Sequence, residues 1–297
     1  MRASIIIPVW NGADVLAGCL DSIREQADDH LLEVICVDND SQDASAALLA
    51  DRYPEVRLLR QRVNLGFAGG VNAGLAAARG DLLILLNQDC IVQPGWLAAL
   101  SQAMEAAPDL GVAGCTLSRP AMSISRRAME AIGPFDEGFY PGYYEDADYC
   151  YRARRRGFTV ACVARARVVH LAHSAAWQQD TVRYQADHCL ARYRFVAKHF
   201  DGREKAAFFA AEGRAIEEEE YLDRAIGRAL AARDLLRGIP DLLQRRHLDL
   251  DVPALPADRR QLQVGFARLR HQGQAAAGRL ALVGLVPPPL EAWQEEV

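Results

Sequence analysis

The sequence predicts an α/β fold: a mostly parallel sheet with helices on both faces, followed by a C-terminal helical region. Three observations carry that prediction. Aliphatic runs alternate with segments of helical apolar spacing through the first half of the chain. The first of these runs, residues 4–9, is continuous rather than alternating, as strands buried on both faces are. Beyond residue 200 the strand-like runs stop and amphipathic helical spacing takes over.

The elements follow in order. Residues 4–9 read as a buried strand, and Asn11-Gly12 as a turn. Residues 13–25 place Val15, Leu16, Cys19, Leu20 and Ile23 at helical spacing. Strands are expected at 32–37, 56–59 and 82–86. Helices are expected at 43–52, at 68–79 with many small residues, and at 94–106 with a proline at the start. A strand-like run at 167–169 closes this part. Residues 203–236 read as one or two helices, and 261–271 as a further one. Glu217 to Glu220 are simplest as a solvated face. The composition divides the chain into a domain over 1–200 and a helical region over 201–297.

Composition bounds the function. The 297 residues are 51% hydrophobic and 25% charged, enough to bury a core. The net charge is −5, from 34 basic and 39 acidic residues, without a charged tail. That argues against a nucleic-acid partner. Seven cysteines without a C-x-x-C pattern argue against a zinc ribbon or a disulfide framework, and for a reducing, cytoplasmic compartment. No apolar run reaches the length of a membrane span, and the N-terminal apolar run is too short for a signal peptide.

Ligands of such sheets sit at the carboxyl ends of the strands. Three polar clusters fall there: Pro8-Val-Trp-Asn11, Asp38-Asn-Asp-Ser-Gln-Asp43 and Asn87-Gln-Asp89. Each alone could be turn or cap chemistry, and Asp43 reads as an N-cap. Turn chemistry explains the convergence of all three poorly. A carboxylate at a buried strand end, as at Asp38, is costly unless something pairs with it. No G-x-G-x-x-G or G-x-x-x-x-G-K-[ST] occurs, so a dinucleotide fold and a P-loop are unsupported.

Six segments in the right order carry a resemblance. They are Ser4-Ile-Ile-Ile-Pro-Val-Trp-Asn11, Val37-Asp-Asn-Asp-Ser41, Asn64-Leu-Gly-Phe-Ala-Gly-Gly-Val-Asn-Ala-Gly74, Leu85-Leu-Asn-Gln-Asp89, Glu145-Asp-Ala-Asp148 and Val168-Val-His170. Over roughly residues 3–200 the chain resembles a family 2 glycosyltransferase with the GT-A nucleotide-diphospho-sugar transferase fold, in the rhamnosyltransferase-like branch.

The resemblance implies a nucleotide-sugar site. Asp38 would accept the pyrimidine N–H, and Pro8, Val9, Trp10 and Asn11 would frame base and ribose, with Asn39 beside them. Asn64, Gly66, Phe67, Gly69 and Asn72 belong to a glycine-rich segment that lets backbone approach the donor. Asn87, Gln88 and Asp89 stand where the family has D-x-D. Asp89 and His170 would ligate Mn²⁺ or Mg²⁺, and His173 is a competing ligand. The first acid of D-x-D is Asn87 here, which lowers the negative charge at the site.

Glu145 and Asp146 open a helix. The family implies Asp146 as the base that takes the acceptor's proton, and Glu145 as its acceptor-orienting partner. Asp148 and Arg152, four apart, read as a helix ion pair. The expected reaction is inverting transfer from a dTDP- or UDP-sugar to a polysaccharide or lipid-linked acceptor, with rhamnose as the first sugar to try. The competing reading is a nucleotide-sugar-binding module without transfer activity, motivated by Asn87 and by a short acceptor-side loop at 118–122. That loop is either cut down or lacks a segment of the family's longer one. The helical region could form a homodimer contact or touch the inner face of a membrane, although its balanced charge gives no support for strong anionic-lipid binding.

Overall fold

A computed structural model describes residues 1–116, 121–171, 181–219, 221–237 and 259–283. The chain divides into two compact units, one of residues 1–136 and 146–178, the other of 137–145 and 179–297. The second unit thus draws on residues 137–145 as well as on the chain after residue 178.

In the first unit the strands are β1 (Ala3–Val9), β2 (Leu31–Asp38), β3 (Arg57–Arg60), β4 (Leu82–Leu86), β5 (Cys90–Val92), β6 (Leu110–Thr116), β7 (Ala121–Ser125) and β8 (Thr159–His170). They form one sheet in the order β3-β2-β1-β4-β7-β6-β8-β5. The β3-β2-β1-β4 half is parallel, and β8 runs parallel to β6. Antiparallel pairs join β7 to β4 and to β6, and β5 to β8.

Helices cover both faces. α1 (Leu16–Glu25), α2 (Ser45–Arg52) and α4 (Trp96–Ala106) lie on one side, and α3 (Gly66–Ala77), α5 (Arg126–Ile132) and α6 (Glu145–Arg155) on the other. The period of two along β1 explains this. Ile5, Ile7 and Val9 join the core with Leu16, Leu20, Trp96 and Leu100, while Ile6 joins Val71, Leu75 and Tyr149 on the opposite face. A continuous aliphatic strand therefore means two buried faces.

α3 is rich in small residues because it presses on the sheet. A Cβ on Gly74 would lie 2.3 Å from Ile6 Cγ2 and 3.2 Å from Val37 Cγ2. Gly74→Ala should destabilise the protein by about 1–3 kcal/mol through overpacking. Denaturant unfolding checks this, and an unchanged midpoint would refute the close approach.

Several boundaries differ from the sequence reading for local reasons. α1 starts at Leu16 rather than at 13, because Val15 and Leu16 N–H both bond Gly12 O and the preceding residues form a turn. α2 starts at Ser45. Asp43 is not its N-cap, which is Ala44; Asp43 accepts from Ser45 N–H and from Ala13 N–H, one on each carboxylate oxygen. α4 starts after Gly95, whose φ of +75° is left-handed, so the helix cannot include Pro94. β5 is not among the expected elements, β6, β7 and α5 are the strands and helix that flank the short loop, and β8 is far longer than 167–169.

The second unit holds α7 (Thr181–His199), α8 (Gly202–Glu218), α9 (Leu222–Arg237) and α10 (Arg259–Val283). α7 was missed, although Val182, Ala186, Cys189, Leu190, Tyr193 and Val196 keep helical spacing and are all buried. α8 begins with a full capping box between Asp201 and Glu204. Glu217 and Glu218 are exposed. No helix among the described residues is long and apolar enough to cross a membrane.

Candidate nucleotide-sugar site

β1, β2 and β4 are parallel neighbours, so the polar clusters after them share one edge of the sheet. The loops there are tied to one another. Asn11 N–H donates to Ser41 Oγ at 3.1 Å, Gln42 N–H to Asn11 Oδ1 at 2.8 Å, and Gly12 N–H to Ser45 Oγ at 3.0 Å. Asn11 and Asp40 take left-handed φ of 47° and 64°, which Asn and Asp tolerate better than other side chains.

Asp38 is 1% exposed at the end of β2. One oxygen accepts Ser41 N–H at 3.0 Å, and the other lies 3.5 Å from Arg60 Nε. Arg60 sits at the matching end of β3, in register with Asp38. This exposed arginine was not among the sequence candidates. Its signal was a basic residue at a strand end beside a buried acid.

The asparagine-glycine segment is anchored by side-chain amides. Asn39 Oδ1 accepts Leu65 N–H at 3.1 Å, and Asn39 Nδ2 donates to Gly66 O at 2.8 Å. Asn64 Oδ1 accepts Gly66 N–H at 2.8 Å, and Gly66 turns at φ +71°. Gly69 is buried in the first turns of α3 and Phe67 is half-buried. Asn72 clasps the backbone of Phe135 in both directions, at 2.9 Å each way. Asn39 and Asn72, expected at the donor, thus direct both ends of their amides at backbone. The Val9 side chain is corrected as well: it is fully buried in the core, and what it offers this edge is its carbonyl, bonded to Asn39 N–H. Pro8 and Trp10 are half-buried and Asn11 is exposed.

Gln88 follows the same logic. Its Oε1 accepts Trp10 N–H at 3.0 Å and its Nε2 donates to Trp10 O at 3.1 Å. Asn87 is half-buried, and its carbonyl accepts the Cys19 thiol at 3.7 Å.

Asp89 and His170 lie 81 residues apart in sequence and meet in space. The antiparallel pairing of β5 with β8 sets Cys90 opposite His170 and so brings His170 Nε2 within 3.0 Å of Asp89 Oδ1. Asp89 is 1% exposed, and its Oδ2 is buried without a hydrogen-bond partner among the described residues. An orphaned carboxylate oxygen beside an imidazole is costly, and a cation would satisfy it. The chemistry of the donors fits Mn²⁺ or Mg²⁺ through oxygen and nitrogen. Cys90 Sγ lies in the same cluster. Burial, reinforced by the charges of Cys19 and Asp89, pushes its thiol well up, so it stays protonated and a poor ligand for a hard ion. His173 and residues 118–120 of the short loop lie outside the described residues.

The acids opening α6 differ sharply. Glu145 is buried, Asp148 is buried and bonded to Arg152 Nε at 2.8 Å, and Asp146 is exposed. Arg152 also donates to the carbonyls of Ile132 and Pro134, so the Asp148–Arg152 pair is structural, as the i,i+4 spacing suggested. Asp146 Oδ1 accepts Ala147 N–H at 2.7 Å. Tyr143 and Tyr144, just ahead, both hold left-handed φ, 76° and 63°. That is strained for aromatic residues and was not legible in the sequence.

The family model described as glycosyl transferase family 2 matches residues 4–168. The chain is 35% identical over 116 residues to the uncharacterized glycosyltransferase YfnE of Bacillus subtilis, covering 38% of this chain and 30% of that one. It is 26% identical over 247 residues to the O-antigen biosynthesis protein RfbC of Myxococcus xanthus, covering 65% of this chain and 19% of that one. The chain therefore spans less than a third of the length of these relatives. Among solved structures it is similar to the mannosyltransferase PcManGT of Pyrobaculum calidifontis in complex with GDP-Man and Mn²⁺, with a TM-score of 0.54 at 18% identity, over 96% of this chain and 86% of that one. That likeness shows the fold, which is the GT-A arrangement.

Proposed function

Because the chain belongs to glycosyl transferase family 2, we propose that it moves a sugar from a dTDP- or UDP-activated donor to a saccharide or lipid-linked acceptor. A rhamnose-like sugar is the first donor to test, with inversion at the anomeric carbon. The O-antigen role in the name of RfbC supports a polysaccharide acceptor.

The observation that carries this reading is the buried pair of Asp89 and His170 with its orphaned carboxylate oxygen. In this reading Asp89 and His170 would hold Mn²⁺ or Mg²⁺. The bound cation would stabilise negative charge developing on the leaving diphosphate. Asp38 reads the base N–H, with the Arg60 guanidinium 3.5 Å from its second oxygen. Pro8, Trp10 and Asn11 frame base and ribose. The backbone held by Asn39 and Asn64 lies along the donor, with Gly66, Phe67 and Gly69 leaving room for it. Asp146 takes the acceptor hydroxyl's proton: it is the solvent-exposed acid in the first turn of α6. Glu145 orients the acceptor.

Calorimetric titration with dTDP, UDP and GDP, each with Mn²⁺ and with chelator, tests the proposal. Metal-dependent binding of a pyrimidine nucleotide is expected. Asp89→Ala should remove that metal dependence, leaving only the weaker metal-free affinity. Equal loss with and without metal would overturn the metal assignment. Nucleotide binding without any transfer or donor hydrolysis would favour the non-transferring module.

A further inference from the structure

Gln88 occupies the middle of the Asn87-Gln88-Asp89 run, between two residues expected at the donor, yet its side chain faces the backbone of another strand's end. β1 and β4 are paired over Ala3–Ile6 and Leu82–Leu85, and there the ladder stops. Trp10 lies four residues beyond Ile6 and Gln88 three beyond Leu85, and there the Gln88 amide accepts Trp10 N–H and donates to Trp10 O. A side-chain amide thus repeats the two-way bonding of a strand neighbour where the backbone ladder has ended.

A second observation points the same way. A Cβ on Gly12 would lie 2.4 Å from Gln88 Cδ and Oε1 and 2.6 Å from Nε2. Gly12 does not have a positive φ, so its backbone does not require glycine. Its missing side chain is the space the Gln88 amide fills. Gly12 and Gln88 form a complementary pair that holds Trp10.

We infer that Gln88 is a positioning residue for nucleotide recognition: it fixes Trp10, and through Trp10 the base-framing loop, against the strand end that carries Asp89. This rests on the donor-site reading above. Gln88 itself needs no contact with the nucleotide. Its covalent neighbour Asp89 is held separately, by His170 and by Leu171 N–H bonded to the Asp89 carbonyl. Loss of the clamp should therefore loosen the base end of the site and spare the cation end.

The test uses the full chain with Gly12→Ala, Gln88→Ala and the double variant. Amide hydrogen exchange at Trp10 reads the clamp directly. UDP and dTDP titrations in chelator read the nucleotide end, and Mn²⁺ alone reads the cation end. Each single variant should speed Trp10 exchange and weaken nucleotide binding by roughly tenfold. The double variant should be no worse than either single, because both remove one interaction. Mn²⁺ affinity should stay at the wild-type value, and donor KM should rise with kcat nearly kept. Gln88→Glu keeps the acceptor for Trp10 N–H and should recover part of the loss. Fully additive single effects, unaltered nucleotide affinity, or equal loss of Mn²⁺ binding would each overturn the inference. A wild-type protein that binds no nucleotide would instead sink the donor-site reading on which the inference stands.

Discussion

Asp146→Asn should cut sugar transfer by about 10²–10⁴-fold, the usual contribution of a positioned general base. Asparagine has the shape of aspartate but cannot take a proton at neutral pH. Of the three acids at the start of α6, Asp146 is the exposed one. Glu145 is buried, and Asp148 is committed to Arg152. A proton acceptor must reach an incoming hydroxyl, and only Asp146 among them is open to do so. Nucleotide affinity should change by no more than about twofold, since a base for the acceptor makes no demand on the base-binding end. The measurement is transfer rate beside calorimetric nucleotide affinity for the same variant. Lost nucleotide binding would make Asp146 structural. Full activity would move the base elsewhere.

Glu212→Ala should destabilise the second unit by about 3–5 kcal/mol, the cost of stripping one partner from a buried ionic cluster. Glu212 on α8 is 6% exposed. Its carboxylate accepts from Arg192 Nη2 at 2.6 Å and the Tyr193 hydroxyl at 2.5 Å, both on α7, and from Arg228 Nη1 on α9 at 3.0 Å. Burial, then the neighbouring Cys189 and Glu212, pushes the Tyr193 hydroxyl far above its usual pKa, so it stays a donor. One carboxylate thus ties three helices. Its removal leaves two guanidinium groups and a hydroxyl facing one another. Glu212→Gln keeps an acceptor without the charge and should cost less, about 1.5–3 kcal/mol. Chemical unfolding followed by circular dichroism reads both. A loss below about 1 kcal/mol for alanine would show that the cluster relaxes into water.

The two units differed in how plainly they could be read. In the first, aliphatic runs such as Ile5-Ile-Ile7 and Leu82 to Leu86 marked strands at once, because burial on both faces forbids polar interruption. The polar residues ending those runs marked the candidate ligand edge. In the second, α7 keeps its apolar spacing but interleaves Arg183, Asp187, Arg192 and Arg194, which blurs the stripe. The charged residues were not all surface: Asp187 and Arg194 are buried, and Arg192 reaches Glu212.

Within the site, residue type alone misled at the amides. Asn39, Asn72 and Gln88 have the donors and acceptors that a nucleotide needs, and backbone needs the same ones. Which partner an amide takes depends on what lies opposite, and that is a long-range fact. Asn72 meets Phe135 63 residues away, and Gln88 meets Trp10 78 residues away. The left-handed Tyr143 and Tyr144 carried no signal, because glycine or asparagine is the usual mark of that conformation and neither is present.

By itself the sequence determined the strand–helix alternation, the sheet edge where ligands belong, and the acids and histidine from which a donor site could be built. Those follow from local periodicity and from the chemistry each residue type carries. Only the tertiary structure decided that β5 and β8 pair so that His170 reaches Asp89, that Arg60 lies beside Asp38, and which amides are spent on backbone. Each of these joins strands or loops distant in the chain, and a one-dimensional pattern does not specify which strand ends lie side by side.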